Sequence, residues 1–175
     1  ENADWQTALY LTKATAKTAR SSDIFNKTPG LPANPLLFVF KDRTEEMVTG
    51  YEKADESQRA IADRITDFLE TQGIEILSKV LSESENRGAR KSAMDALTQK
   101  GDLVRDWVFK VLDDPKQKWF LVRNALMLLG YVGKNEKDID HVRKLLRHEH
   151  PRVRDEALNV VIALKADDIE DIVIT

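Results

Sequence analysis

Three arginine-led runs recur along the chain, and their spacing restricts what it can fold into. Arg90 heads RKSAMDAL, Arg123 heads RNALMLLG and Arg154 heads RDEALNVVIAL. The intervals are 123 − 90 = 33 and 154 − 123 = 31 residues, a period that marks a stack of helical repeats. The middle copy, KWFLVRNALMLLG from Lys118 to Gly130, carries Val122, Leu126, Leu129 and, just past it, Val132 at helical spacing. Apolar side chains three and four residues apart share one face of a helix, so each copy reads as an amphipathic helix with one stripe to bury.

The segments between these copies carry the same periodicity over shorter lengths. Ser57 caps a helix running to about Thr71, with Ile61, Ile65, Phe68 and Leu69 inward and Gly73 as its stop. A short helix follows from Ile74 to Leu81, then an arginine-led helix from Arg87 to Gln99. Asp102 caps the next, which carries Leu103, Val104, Trp107, Val108, Val111 and Leu112 before Asp113-Asp114-Pro115 ends it. Lys116 to Val132 is helical and Gly133 stops it. Asp138 to Arg147 presents Ile139, Val142, Leu145 and Leu146, and Pro151 opens a last full helix to about Leu164. Asp167 is placed to cap one more. Short helices thus alternate with arginine-led ones. None can cover its apolar stripe alone, and stacked pairs make one continuous core. The fold class expected is all-α: a right-handed α-α superhelix of helix pairs.

Residues 1–56 are less regular. Positions 3–20 read as a helix with Trp5, Ala8, Leu9, Thr12, Ala16 and Ala19 on one face. The stretch from Ser21 to Pro35 holds three prolines and a glycine and breaks it. Leu36 to Phe40 is short and wholly apolar, and 41–56 is a polar stretch able to form a helix with a frayed end. The expected division is therefore a capping segment, 1–56, followed by repeats over 57–175, the last of them truncated. The chain begins without Met and stops inside a periodic run, DDIEDIVIT, as a piece of a longer protein would.

The copy from His150 to Leu164, HPRVRDEALNVVIAL, resembles the second helix of a HEAT repeat: Pro151, then Val153-Arg154, then Ala157 and Leu164. The middle copy keeps Val122-Arg123 but has Ala125 two residues after the arginine, and the first keeps Arg90, Ala93 and Leu97 with Ala89 in place of valine. The middle copy also resembles repeats of bacterial HEAT-repeat proteins. The resemblance covers residues 57–175. It implies a ladder in which acidic residues near the turns pair with the arginines: Glu85 with Arg90, Asp114 with Arg123, and Glu149 with Arg154. The function expected for the chain is a protein-binding scaffold or regulatory module that works through the concave or N-terminal surface.

The residues offer a candidate surface for that role. Phe120, Asn124, Met127 and Tyr131 lie on helix 117–132 opposite its buried stripe, at spacings of four, three and four. Aromatic and Met side chains on an outward face mark a contact surface. Asp155 and Asn159 on the following arginine-led helix, with Lys91 and Asp95 on the preceding one, are expected to flank it.

Other chemistries are poorly supplied. The chain has no cysteine, which removes disulfides, thiolate metal sites and a cysteine nucleophile, and fits a reducing, cytoplasmic setting. His148 and His150, with His141 two turns earlier, lack a further ligand of the right type, so neither metal nor cofactor is expected. Arg143, Lys144, Arg147, Arg152 and Arg154 form a basic cluster that could meet phosphates, which makes nucleic acid the rival partner. The net charge of −3 weighs against it. No glycine-rich phosphate loop, GxSxG or HExxH is present, and no enzyme is expected. No apolar run approaches the roughly 18 residues of a membrane helix, and the acidic N-terminal residues do not read as a signal peptide.

Overall fold

A computed structural model describes residues 7–11, 13, 14, 17, 40, 42–132 and 138–164, and among these there is no strand. The chain forms two compact units, residues 1–96 and 97–175. The described elements are α1 (Thr44–Lys53), α2 (Glu56–Phe68), α3 (Glu70–Glu83), α4 (Arg87–Gln99), a 3₁₀ turn (Gly101–Val104), α5 (Arg105–Asp113), α6 (Trp119–Val132), α7 (Ile139–Arg143), a second 3₁₀ turn (Lys144–Arg147) and α8 (Pro151–Ala163). The expected all-α helical-repeat fold is what the chain adopts.

In the first unit, α1 packs on α3 and α2. The stretch expected to fray is an ordered helix because its few apolar residues fall on one side: Met47, Val48 and Tyr51 are buried. Tyr51 is 1% exposed, and its hydroxyl donates to Asp63 Oδ1 on α2 at 2.7 Å. Burial and this carboxylate both hold the phenol well above its usual pKa. Gln72 Nε2 of α3 donates to the Phe40 carbonyl at 2.6 Å, and Lys79 pairs with Glu45. Ile65, Leu69, Ile76, Leu77 and Val80 form the centre of this core; full burial of such a side chain contributes roughly 1.5–3 kcal/mol. Of the first helix, residues 7–11, 13, 14 and 17 are helical, with Leu9 buried and Tyr10 and Leu11 exposed. The rest of that helix, the break after it, most of the apolar run before Phe40 and the expected helix after Asp167 lie outside the described residues.

Several boundaries differ from expectation: α6 begins at Trp119 rather than Lys116, because Asp114 holds residues 116 and 117 in the preceding turn, and three others have local reasons of their own. The cap of α2 is Asp55, not Ser57: its carboxylate accepts from Gln58 N at 2.9 Å while Gln58 Oε1 accepts from Asp55 N at 3.0 Å. This reciprocal box satisfies two free amides, and Ser57 serves it by donating to Asp55 Oδ1. Gly73 does not end a helix. The chain turns three residues earlier, at Glu70, whose φ of 48° is left-handed. Gly73 lies within α3, where a Cβ would sit 2.0 Å from the Thr66 carbonyl oxygen of α2. Asp102 and Leu103 lie in a 3₁₀ turn, so Leu103 swings outward, 66% exposed, and Val104 takes the core position.

In the second unit α5 packs on α6, and α6 on α8. Val108, Val111 and Leu112 of α5 meet a core that includes Leu121, Val122, Ala125, Leu126, Leu128 and Leu129 of α6. The expected stripe of Val122, Leu126 and Leu129 is buried, whereas Val132 and Trp107 are half-buried. The helix expected over 138–147 is a short α7 continued by a 3₁₀ turn, with Ile139, Val142 and Leu145 buried. Arg105 forms an ion pair with Asp138, which is 3% exposed.

The arginine series has a geometric cause. Arg90 is the fourth residue of α4, and its Nη1 donates to the Ser84 carbonyl at 2.7 Å. Arg154 is the fourth residue of α8, and its Nη1 donates to the carbonyls of His148 and Glu149 at 2.9 Å each. In both helices the guanidinium reaches back to carbonyls that the preceding turn leaves free. The acceptors are therefore main-chain oxygens of the turns, not the side chains of Glu85 and Glu149. Arg59, the fourth residue of α2, does the same toward Tyr51 O at 3.3 Å and Glu52 O at 3.5 Å. It precedes Arg90 by 90 − 59 = 31 residues, so the series has a fourth member. Ala62, Ala93 and Ala157, each three residues after its arginine, are all essentially buried.

Gly73→Ala is expected to lower stability by roughly 2–3 kcal/mol in denaturant unfolding, since backbone rather than a flexible side chain must move. Arg90→Ala should cost about 1–2 kcal/mol, because its bond is partly buried. Arg154→Ala should cost less than about 1 kcal/mol, because its bonds are exposed.

Candidate functional site: a groove between α6 and α8

The third arginine behaves differently, and the connection before it explains why. Three residues, 84–86, join α3 to α4, and three, 148–150, precede α8; five, 114–118, join α5 to α6. Asp114 organises that longer turn by accepting from Lys116 N and from Gln117 Nε2, both at 2.9 Å. Arg123 points its Nε toward Glu156 Oε2 on α8 at 3.8 Å. The carboxylate beside Arg123 is thus Glu156, while Asp114 closes its own turn.

Glu156 borders a groove of about 180 Å³ lined by Met127, Gly130 and Tyr131 of α6 and by Asn159, Val160 and Ala163 of α8. The lining follows helical spacing: 127, 130 and 131 on one side, and 156, 159, 160 and 163 on the other. Gly130 leaves the recess open, since a Cβ there would come into ordinary contact with Val160 Cγ2 at 3.6 Å. Tyr131 is 65% exposed, and Ile162 of α8 is also exposed. Burial holds the Glu156 carboxyl above the usual glutamate range, and Arg123 offsets part of that effect.

Of the residues expected to form a contact surface, the structure gathers Met127, Tyr131 and Asn159 along this groove. Phe120 and Asn124 lie further toward the start of α6 and are half-buried. Phe120 stands edge-on to Trp119 with ring centroids 6.1 Å apart. Asp155 is exposed on α8, and Lys91 and Asp95 are exposed on α4 in the first unit. Glu156, Gly130, Val160 and Ala163 were not anticipated. Extending the outward face of α8 in both directions from Asn159 would have found Glu156 and Ala163.

The histidines and the basic cluster have other engagements. His150 stacks on Trp119 with centroids 3.8 Å apart and planes within 3°, and Arg152 sits 5.8 Å from the same indole. These two rings occupy equivalent positions, four residues before Arg154 and Arg123 (154 − 150 = 4; 123 − 119 = 4). His148 Nδ1 accepts from His150 N at 3.0 Å, and His141 Nδ1 lies 3.1 Å from Asp113 Oδ1. Lys144 pairs with the same Asp113 oxygen, and these two partners hold that carboxyl below its usual range. Among the described residues no group of three or more His, Asp or Glu side chains is placed to hold a metal ion. None of the described helices is long and apolar enough to cross a membrane.

Helix pairs of this kind, joined by tight turns and recurring at intervals of 31–33 residues, define an α-helical repeat protein. The family described as HEAT repeats matches residues 74–165, which is 92 of the 175 residues, and the chain belongs to that family. No individual curated protein matches it. HEAT repeats generally mediate protein–protein interaction and are typically non-enzymatic scaffolds.

The raised Glu156 carboxyl predicts a pH signature. The folded state holds the Glu156 proton more tightly than the unfolded chain does. Stability is therefore unaffected where both are protonated, falls as pH rises through the unfolded and then the folded pKa, and stays reduced above both. Glu156→Gln is expected to be at least as stable as the parent at pH 7. That advantage should vanish below the ordinary glutamate range, as denaturant unfolding at several pH values will read.

Proposed function

We propose that the chain is a non-catalytic scaffold or regulatory module that binds a protein partner through the outward face of α6 and α8. What carries this reading is the groove itself: a shaped, largely apolar recess with an exposed tyrosine at its edge, on helices whose other faces are buried in a packed core. Phe120, Asn124 and Asp155 extend the surface toward the start of the same helices. Lys91 and Asp95, and the concave placement expected for all of these, belong to the proposal as well. So do a capping role for residues 1–56, α1 included, with repeats over 57–175, and a cytoplasmic setting. Nucleic-acid binding through Arg143–Arg154 is the weaker reading, because Lys144 and Arg154 already bind within the protein and Arg152 lies beside Trp119.

Replacing Met127 and Tyr131 together with glutamate tests the proposal. Helicity should be kept and the melting temperature should move by no more than a few degrees, since neither side chain is part of the buried core. A partner retained by the parent protein in affinity capture with mass spectrometry should be lost by the double variant. Retention of the same partner by both proteins counts against this face. Nuclease-sensitive recovery of the bound material would favour the basic cluster instead.

A further inference from the structure

If partners dock on this face, the groove's charge says something about what they bring. The lining consists of Met127, Gly130, Tyr131, Val160 and Ala163, with one amide, Asn159, and one carboxylate, Glu156. The Glu156 side chain is 18% exposed, and its closest cation, Arg123, is 3.8 Å away, longer than a hydrogen bond. The carboxylate is partly withdrawn from water and only loosely matched by Arg123, so a closer cation would compensate its burial better. Burial also holds it above its usual pKa, which is consistent with that deficit.

We infer that the groove accepts an arginine or lysine side chain of a protein partner, with Glu156 as its counter-ion and Met127, Tyr131 and Val160 packing along its aliphatic stem. This rests on the docking face proposed above. The arrangement suits the two-part chemistry of such a side chain, which needs apolar surface along its methylenes and an anion at its end. The Tyr131 ring adds a face to which a cation is attracted, and the Asn159 carbonyl oxygen can accept from the same head group. An acidic side chain would meet Glu156 with the same sign of charge. A purely apolar one would seal the carboxylate away from water with no new donor. Arg123 competes with the incoming cation from inside the protein.

The test uses the intact chain, labelled with ¹⁵N, and three acetylated, amidated pentapeptides that place arginine, glutamine or glutamate between two leucines. The arginine peptide is expected to shift the amides of Gly130, Tyr131, Glu156 and Asn159. It should bind about tenfold more tightly than the glutamine peptide, the scale of one charge-assisted hydrogen bond, and the glutamate peptide should be weakest. Glu156→Gln should erase that preference while leaving the weak binding of the glutamine peptide unchanged. Arg123→Gln, which removes the internal competitor, should strengthen the arginine peptide's binding. Equal affinity for the arginine and glutamine peptides, or a preference that survives Glu156→Gln, overturns the cation pocket and leaves the docking face standing. Shifts confined to residues outside α6 and α8, or none with any peptide, overturn both.

Discussion

The corner between two helices is where this architecture is determined. A helix ends with main-chain carbonyls that have no partner inside it. In three pairs an arginine at the fourth position of the returning helix reaches back to those oxygens, from Arg59 to Tyr51 and Glu52, from Arg90 to Ser84, and from Arg154 to His148 and Glu149. The guanidinium has several donors in a fixed fork, so one side chain can engage two carbonyls at once, as Arg59 and Arg154 do. A carboxylate partner would leave the carbonyls unmatched, which is why an arginine is useful here without an acidic residue to pair with. Three residues later a small side chain, Ala62, Ala93 or Ala157, is buried on the inner side. The arginine ties the turn and the alanine lets the pair close.

The exception at Arg123 follows from loop length. With five residues between α5 and α6, including Pro115, the turn is organised from within by Asp114. Asp114 acts as aspartate often does in turns, accepting from a main-chain amide two residues on. The arginine at the repeat position is then directed at the neighbouring helix. Its approach to Glu156 is the consequence, and the groove lies directly beyond that pair. A local change in a connection thus bears on the chemistry of the surface formed by the helix that follows it and by α8.

Much of this architecture could be read before any coordinates. Arg87–Gln99 is bounded as expected because the polar turn Ser84-Glu85-Asn86 precedes it and Gly101 follows it. Gly101 has a φ of 57°, a conformation that suits glycine after a helix. The junction between α2 and α3 was misread because the left-handed residue is Glu70, for which composition carries no signal, whereas Gly73 resembles a stop and is in fact required by close approach. Arg59 was within reach, since Arg59 and Ala62 repeat the spacing of Arg90 and Ala93. The outward residues of α6 were legible as a stripe. Their neighbours across the groove were only partly so, because helical periodicity states which residues share a face but not which faces meet.

What distinguishes this groove from an ordinary seam between packed helices is the size of the residues along it. Gly130 on one side and Ala163 on the other are too small to fill the space between α6 and α8, while Val160 closes the bottom. Larger side chains at those positions would interdigitate and convert the recess into core, as Leu128 and Val161 do on the inner faces of the same helices. The walls are regular helices anchored by buried leucines and valines, so the recess is formed in the unbound protein. An incoming side chain need not order the surface that receives it, which lessens the entropic cost of docking. The partial burial that raises the Glu156 pKa and the recess beside it both follow from the packing of α6 against α8.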